Sequence, residues 1–324
     1  MKIIRKYKNG NYNVVIWDNG TKIRYSEDDE FIPEFPENID IKLTNACPYG
    51  CMYCHENSKN EDATKSINFL HNYIFGKSQK WIETLRPGTE VALGGGALST
   101  LDNSLWEFIS VLNNRDIIVN MTINQREMSN TIFMDTLKFH LQRDIVKGVG
   151  VSFLKADQEL EKFAKIYRKN IVIHVIAGIV TPDELEYLAK NRFKVLILGY
   201  KDLRRGHTYL ESNNEKIKKN IQYIKDNIKR LSSEFLTTSF DCLAVEQLDI
   251  GNVISKKDFE KYYMGDDGTH TMYIDIPNLE YAPSSTYPIG RRLKINSKLS
   301  IEDMFKTVRE ITEKEKKFDR ITNK

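Results

Sequence analysis

From residue 39 onward the chain keeps one rhythm of apolar and polar positions. Short apolar runs fall at Ile39–Leu43, Glu90–Leu93, Ile117–Ile123, Val146–Phe153, Ile171–Ile176 and Val195–Leu198. Between them lie stretches in which apolar residues return every three or four positions: Thr64–Phe75, Ser104–Leu112, Asn130–Leu141, Asp157–Arg168 and Pro182–Lys190. Buried strands alternating with amphipathic helices predict a parallel sheet built from βα units, curled or closed. Six such units fit between residue 39 and about residue 230, the last ending in a charged helix near Glu211–Arg230.

The two ends follow other patterns. Tyr12–Trp17 and Thr21–Tyr25 alternate around Asp18-Asn19-Gly20, which predicts a hairpin. Pro33 and Pro36 then punctuate an acidic linker. After residue 230 come a strand-like run, Leu236–Val245, a loop at Tyr262–Gly268, a second strand at Thr271–Ile276 and a final helix from about Ser300. The lysines of the tail (Lys314, Lys316, Lys317) read as a solvated face.

Composition adds bounds. Forty per cent hydrophobic and 29% charged residues describe a globular protein, and a net charge of +3 does not announce a nucleic-acid binder. No apolar run is long enough to span a bilayer, and the basic N-terminus lacks the apolar core of a signal peptide. The expected compartment is the cytoplasm, with no membrane partner. Four cysteines, three of them within eight residues, do not make a disulfide framework. In a reducing compartment they point to metal or redox chemistry.

Those three form Cys47-Pro-Tyr-Gly-Cys51-Met-Tyr-Cys54, a CxxxCxxC turn directly after the first core strand. A turn can gather three sulfurs on one side, where a strand would point alternate side chains apart. Three thiolates hold three irons of a 4Fe–4S cluster and leave the fourth open, as a catalytic metal requires. Three other readings compete. A zinc site needs a fourth ligand, for which His55 is awkwardly adjacent to Cys54. Cys51-Met-Tyr-Cys54-His55 also matches the CxxCH of a c-type haem, which requires export. The last reading makes the three unrelated core cysteines, against which the polar turn setting argues.

Asn45-Ala46-Cys47-Pro48-Tyr49-Gly50-Cys51-Met52-Tyr53-Cys54 closely resembles the signature of the radical S-adenosylmethionine superfamily, including the aromatic Tyr53 before the third cysteine. The resemblance implies a 4Fe–4S cluster on Cys47, Cys51 and Cys54 whose open iron binds the amino and carboxylate groups of S-adenosylmethionine. It also implies reductive cleavage to a 5′-deoxyadenosyl radical and hydrogen abstraction from a substrate. An electron donor such as flavodoxin or ferredoxin is implied as a partner.

Other positions follow from the resemblance. Gly94-Gly95-Gly96 stands where the family carries a GGE-like motif on the methionine amino group, with Gly96 in place of the acid, so recognition there would fall to backbone carbonyls or Ser99. Asn124, following the third core strand, and Ser152, within the fourth, match positions that bond the ribose or the carboxylate. Gly178 and Leu198, at ends of the fifth and sixth, match the adenine side. His174, within the fifth strand, reads as a hydrogen-bonded core histidine. Cys242 reads as a small buried hydrophobe or, in a sharper reading, as a hydrogen-atom donor on the strand Ser239–Cys242.

The expected architecture is an α/β partial (β/α)6 TIM-like barrel. Residues 1–38 form an N-terminal β-hairpin and linker, 39–230 the core, and 231–324 an α/β extension over the mouth that includes Tyr263, Asp266, Asp267, Asp275 and Ser284-Ser285. A peptide or protein substrate is favoured, because the hairpin would offer an edge for strand addition. The alternatives are a nucleoside or RNA substrate, with Lys201–Arg205 and Lys216–Lys219 as basic stretches, and a non-catalytic zinc- or cluster-binding regulator.

Overall fold

The computed structural model describes residues 2–74, 76 and 79–322, the last five by their backbone alone, so that Phe75 at the end of the first expected helix lies outside the described residues. The N-terminal segment is a meander rather than a hairpin: β1 (Ile3–Asn9), β2 (Tyr12–Trp17) and β3 (Lys22–Tyr25) pair antiparallel in that order. The first strand is largely exposed and rich in lysine, which hides it in the apolar pattern.

The core then follows the expected alternation, with one short unexpected helix, α2: β4 (Asn38–Thr44), α1 (Thr64–Ile74), α2 (Lys80–Glu83), β5 (Glu90–Gly95), α3 (Asp102–Asn114), β6 (Ile118–Asn124), α4 (Thr131–Gln142), β7 (Val146–Ser152), α5 (Gln158–Ile166), β8 (Ile171–Ile176), α6 (Pro182–Lys190), β9 (Lys194–Leu198) and α7 (Arg205–Glu234). These are six βα units among the described residues. The last helix begins six residues before the charged stretch and kinks at Asn213. The extension supplies β10 (Thr237–Phe240), α8 (Cys242–Gln247), α9 (Ile250–Val253), α10 (Lys256–Tyr262), β11 (Thr271–Asp275), β12 (Glu280–Ala282), β13 (Leu293–Lys294) and α11 (Ile301–Thr322).

Among the described residues ten strands form one sheet in the order β10-β9-β8-β7-β6-β5-β4-β11-β12-β13. All are parallel from β10 to β11, while β12 and β13 run antiparallel. The extension therefore completes the sheet on both sides of the six units. From β4 to β10 the order never reverses, so right-handed crossovers put the helices on one face. Strand alternation shows the same division. Val119, Met121 and Ile123 of β6 are buried in the main core with α3 and α4, whereas Asn120, Thr122 and Asn124 between them are half-exposed on the other face.

The sheet is not flat. Seven strand steps separate β9 from β12, about 34 Å at the usual spacing. Yet Lys201, just past β9, donates to Ser285 Oγ, just past β12, at 3.0 Å. The polar face is therefore concave and enclosed by the sheet's own curvature.

The meander covers the N-terminal ends of these strands. Tyr12, Val14 and Ile16 pack on Ile118, and Lys22 bridges Glu37 and Glu90. Arg24 pairs with Glu37 at 2.7 Å, and Tyr12 donates to the same carboxylate at 2.6 Å. This fixes the meander at the end opposite the cysteine turn, so strand addition at its edge would not bring a peptide to that turn.

Candidate metal centre

β4 runs out at Thr44 into the turn that carries the cysteines. The turn is closed at its base: Cys47 N–H donates to Lys59 O at 2.6 Å, and Lys59 N–H to Asn45 O at 3.1 Å. Within it Gly50 takes φ +60° with open space around it, and Cys54 N–H donates to Cys51 O. Cys47, Cys51 and Cys54 are all partly exposed and unbridged. Burial, the first cause, pushes the Cys47 thiol up, and the neighbouring Cys51 and Cys54 add to it.

Cys51 has the best-developed surroundings. Asn124, at the end of β6, directs Nδ2 at Cys51 Sγ from 3.9 Å, and Arg126 directs Nη1 at the same sulfur from 3.8 Å while donating to Tyr49 O at 2.7 Å. A cation and an amide side chain thus converge on one sulfur. Glu127 holds this arrangement from beneath: fully buried, it accepts from Ser99 N–H and Asn124 N–H, both at 2.8 Å. Arg126 and Glu127 escaped the sequence reading, although Asn124-x-x-Glu127 has the spacing of the capping box observed here. Ser99, expected as an alternative ammonium partner, is engaged by Glu127.

Two glycines of the triplet are required by packing. A Cβ on Gly96 would lie 2.2 Å from Ala46 O, and one on Gly95, at φ +117°, 2.7 Å from Thr44 O. Gly96 N–H and Ala97 N–H donate to Thr44 O and Ala46 O at 2.7 and 2.8 Å. Gly95 and Gly96 thus let the cysteine turn lie against β5. Only Gly94 leaves room, its nearest neighbour being Thr122 at 3.8 Å. Gly178 is likewise a packing glycine: at φ +89° it would strike Ile217 of α7, and its carbonyl accepts from Asn220. Leu198 O accepts from Ala177 N–H, and the next two backbone donors go to Asp241 and Gln247, so the backbone after β9 is tied to the extension.

Ser152 ends β7 on the polar face, in register between Asn124 and His174. His174 belongs to that face rather than to the core. Its ring lies over Gly150, which has no room for a Cβ, and burial lowers its pKa to about 4. Tyr53 packs edge-on against Tyr209, and burial pushes its hydroxyl up to about 12.

Beside the cysteine turn lies an ionic network. Lys42 pairs with Glu56 at 2.7 Å and Asp275 at 3.3 Å, Arg292 with Asp275 at 3.2 Å, and Arg204 with Glu56 at 3.4 Å. Glu56 resists burial because His55 and Lys42 hold its carboxyl well below the usual range. Arg204 also donates to His55 O, and Arg205 to Ser58 O. The basic stretch Lys201–Arg205 is therefore turned inward and bonded.

A cavity of about 80 Å³ continues from Lys201, lined by Asp40, Asp241, Cys242, Asp267 and Ser284 among others. Cys242 is not on a strand: it opens α8, whose N-cap is Asp241. Its Sγ lies 3.7 Å from Gly265 O, and burial and Asp267 push its thiol up to about 12. Asp40, open to water but surrounded by protein, is pushed up to about 6 by burial. Of the expected mouth residues, Asp267, Ser284 and Ser285 line this cavity. Asp275 is buried in the ionic network, and Asp266 is bonded by Tyr263 and Lys316. Lys316 is thus an ion-pair partner rather than a free solvated lysine.

Among the described residues no three His, Cys, Asp or Glu side chains converge on a single metal ion. An iron–sulfur cube asks for something else, since each thiolate binds its own iron. Cys47, Cys51 and Cys54 offer three partly exposed, unbridged thiols on one pinned turn, with two donors directed at one of the sulfurs. No protein-family model matches the chain, and no curated protein matches it either. Among the described residues no helix is long and apolar enough to cross a membrane.

Proposed function

We propose that this chain is a radical S-adenosylmethionine enzyme acting on a peptide or protein. The observation that carries the reading is the CxxxCxxC turn at the C-terminal end of β4, with Asn124 and Arg126 at Cys51 and a concave polar face beside it. Sites in sheets of βα units lie at strand C-terminal ends, and the six units with their curvature agree with a partial TIM-like barrel. When bound, a 4Fe–4S cluster and S-adenosylmethionine would supply the electron and the 5′-deoxyadenosyl radical for hydrogen abstraction.

The chain's own residues would do the rest. Cys47, Cys51 and Cys54 would hold the cluster; Arg126 and Asn124 would temper the charge on Cys51. Gly94 would leave room on the concave face, and Asn124 and Ser152 would offer polar groups there. Asp40, Lys201, Asp267 and Ser284 present both signs of charge to the adjoining cavity, which suits a polar substrate such as a peptide. Inward-turned Lys201, Arg204 and Arg205 withdraw the main support for RNA. A cytoplasmic setting with a flavodoxin or ferredoxin as electron donor belongs to the same proposal.

The test is anaerobic reconstitution followed by assay of 5′-deoxyadenosine with reductant and candidate peptides. About four iron and four sulfide per chain are expected, lost with Cys47→Ala, Cys51→Ala or Cys54→Ala and kept with Cys242→Ala. Stoichiometric zinc without iron after that treatment overturns the reading.

A further inference from the structure

The largest cavity among those described lies far from the cysteine turn. It measures about 440 Å³ and sits at the starts of β8 and β9, where α5 and α6 return to the sheet. Its rim carries Lys165, Arg168, Lys190, Arg192 and Lys194, and no acidic residue lines it. Phe193 and Ile171 form an apolar floor. A volume of this size is that of a small-ligand site.

Two of the cations have a local explanation. Lys165 and Lys190 stand in the last turns of α5 and α6, where the helix dipole favours positive charge, and Lys165 also pairs with Glu161. Arg168, Arg192 and Lys194 lie beyond those helices. Among the described residues the side chains of Arg168, Lys190 and Arg192 have no hydrogen-bond or ion-pair partner. Arg192 moreover holds φ +50°, a conformation that suits asparagine or glycine better than arginine. Lys194 donates to Lys169 O at 2.6 Å. Its pKa is lowered by burial first and then by Arg168 and Lys169, so neighbouring cations add to the cost of charging it.

We infer that this cavity binds the multiply charged phosphate group of a small ligand. Two arginine forks match phosphate oxygens in pairs, the lysines add point charges, and one phosphate chain would neutralise a rim that lacks its own anions. Being at the strand N-terminal ends, the site is separate from the cysteine turn and does not depend on the proposed reaction.

Calorimetric titration of the full chain with tripolyphosphate, and separately with a nucleoside triphosphate, tests the site. The expected result is one site per chain that weakens as salt rises. Affinity should fall at least about tenfold in the double variant Arg168→Gln/Arg192→Asn and stay unchanged in Lys216→Gln/Lys218→Gln on α7. Equal affinity for the two probes assigns recognition to the phosphates alone; tighter nucleoside triphosphate binding adds the apolar floor. Should the double variant not fold, Arg168→Gln, an exposed single change, decides in the same way. Unchanged affinity in the variant overturns the inference. So does the absence of binding by either probe at low salt, or RNA binding through these arginines that tripolyphosphate does not compete.

Discussion

Gly96→Ala should unseat the cysteine turn, and the structure sets how badly. The new Cβ would lie 2.2 Å from Ala46 O, 2.9 Å from Ala46 C and 3.1 Å from Asn45 C, all backbone atoms. An ordinary contact starts near 3.4 Å, so the two segments must part by about 1.2 Å. That movement breaks the bonds from Gly96 N–H to Thr44 O and from Ala97 N–H to Ala46 O, now 2.7 and 2.8 Å. Two lost hydrogen bonds at roughly 0.5–1.5 kcal/mol each, plus roughly 1–3 kcal/mol of overpacking, give a loss of about 2–6 kcal/mol. For a chain of this size that lowers the melting temperature by roughly 3–9 °C.

The comparison is Gly94→Ala, whose Cβ meets nothing nearer than Thr122 at 3.8 Å. Melting curves of both apo variants and iron per chain after anaerobic reconstitution provide the assay. Gly94→Ala should melt like the parent and take up full iron. Gly96→Ala should melt early and hold little, because Cys47 follows directly on the displaced Ala46. Parental melting and full iron in Gly96→Ala refute the reasoning, as does a Gly94→Ala variant that is the worse of the two.

Three further outcomes are expected. Asp40 has a folded pKa raised from 3.8 to about 6, so its contribution is fully present below about pH 4 and lost as pH rises through 6. Asp40→Asn should therefore match the parent near pH 4 and exceed it at pH 7 by about 1 kcal/mol, the unscreened shift being discounted for the residue's exposure; denaturant melts at both pH values check this, and no gain at pH 7 counts against it. Arg126→Gln should lower the reduction potential of the reconstituted cluster by roughly 50 mV, as loss of a cation about 4 Å from Cys51 Sγ implies; an unchanged potential in protein-film voltammetry removes Arg126 from that role. Iodoacetamide at pH 8 should label apo Cys51 before Cys242, whose thiol is pushed up to about 12, and peptide mapping that finds Cys242 first contradicts this.

What the sequence disclosed and what it hid have physical reasons. Apolar runs at period two and amphipathic stretches report burial directly, so β4 to β9 and their helices were legible to within a few residues. The strand β1 was missed because its lysines face water and its inward positions are Arg5, Tyr7 and Asn9. Cys242 was assigned to a strand because Thr237–Phe240 runs on without an apolar break. The stop signal was Asp241, whose side chain accepts from Ala244 N–H as an N-cap. The cysteine turn was legible because its chemistry lies in adjacent residues. Glu127, Lys42 and Glu56 were not, because each acts through partners far along the chain.

The glycine and ionic features together divide the concave face into two parts with different electrostatics. Near the cysteine turn the charges are closely paired: Lys42 and Arg204 flank Glu56, and its carboxyl stays charged in spite of burial. Around Cys242 they are not. The Asp40 and Asp267 carboxyls have no carboxylate-to-cation contact within ion-pair distance among the described residues, and both are pushed up by burial. Paired charges are fixed, since separating a buried pair costs several kcal/mol. The first part is thus a frame that holds Lys42 on β4, Glu56 in the turn and Asp275 on β11 in one arrangement. The second keeps acids and a thiol whose protonation still answers to what sits beside them. Rigid support next to the cysteines and adjustable groups one cavity away is the order that the proposed function needs, in which cluster ligands would have to stay fixed while groups beside a substrate respond.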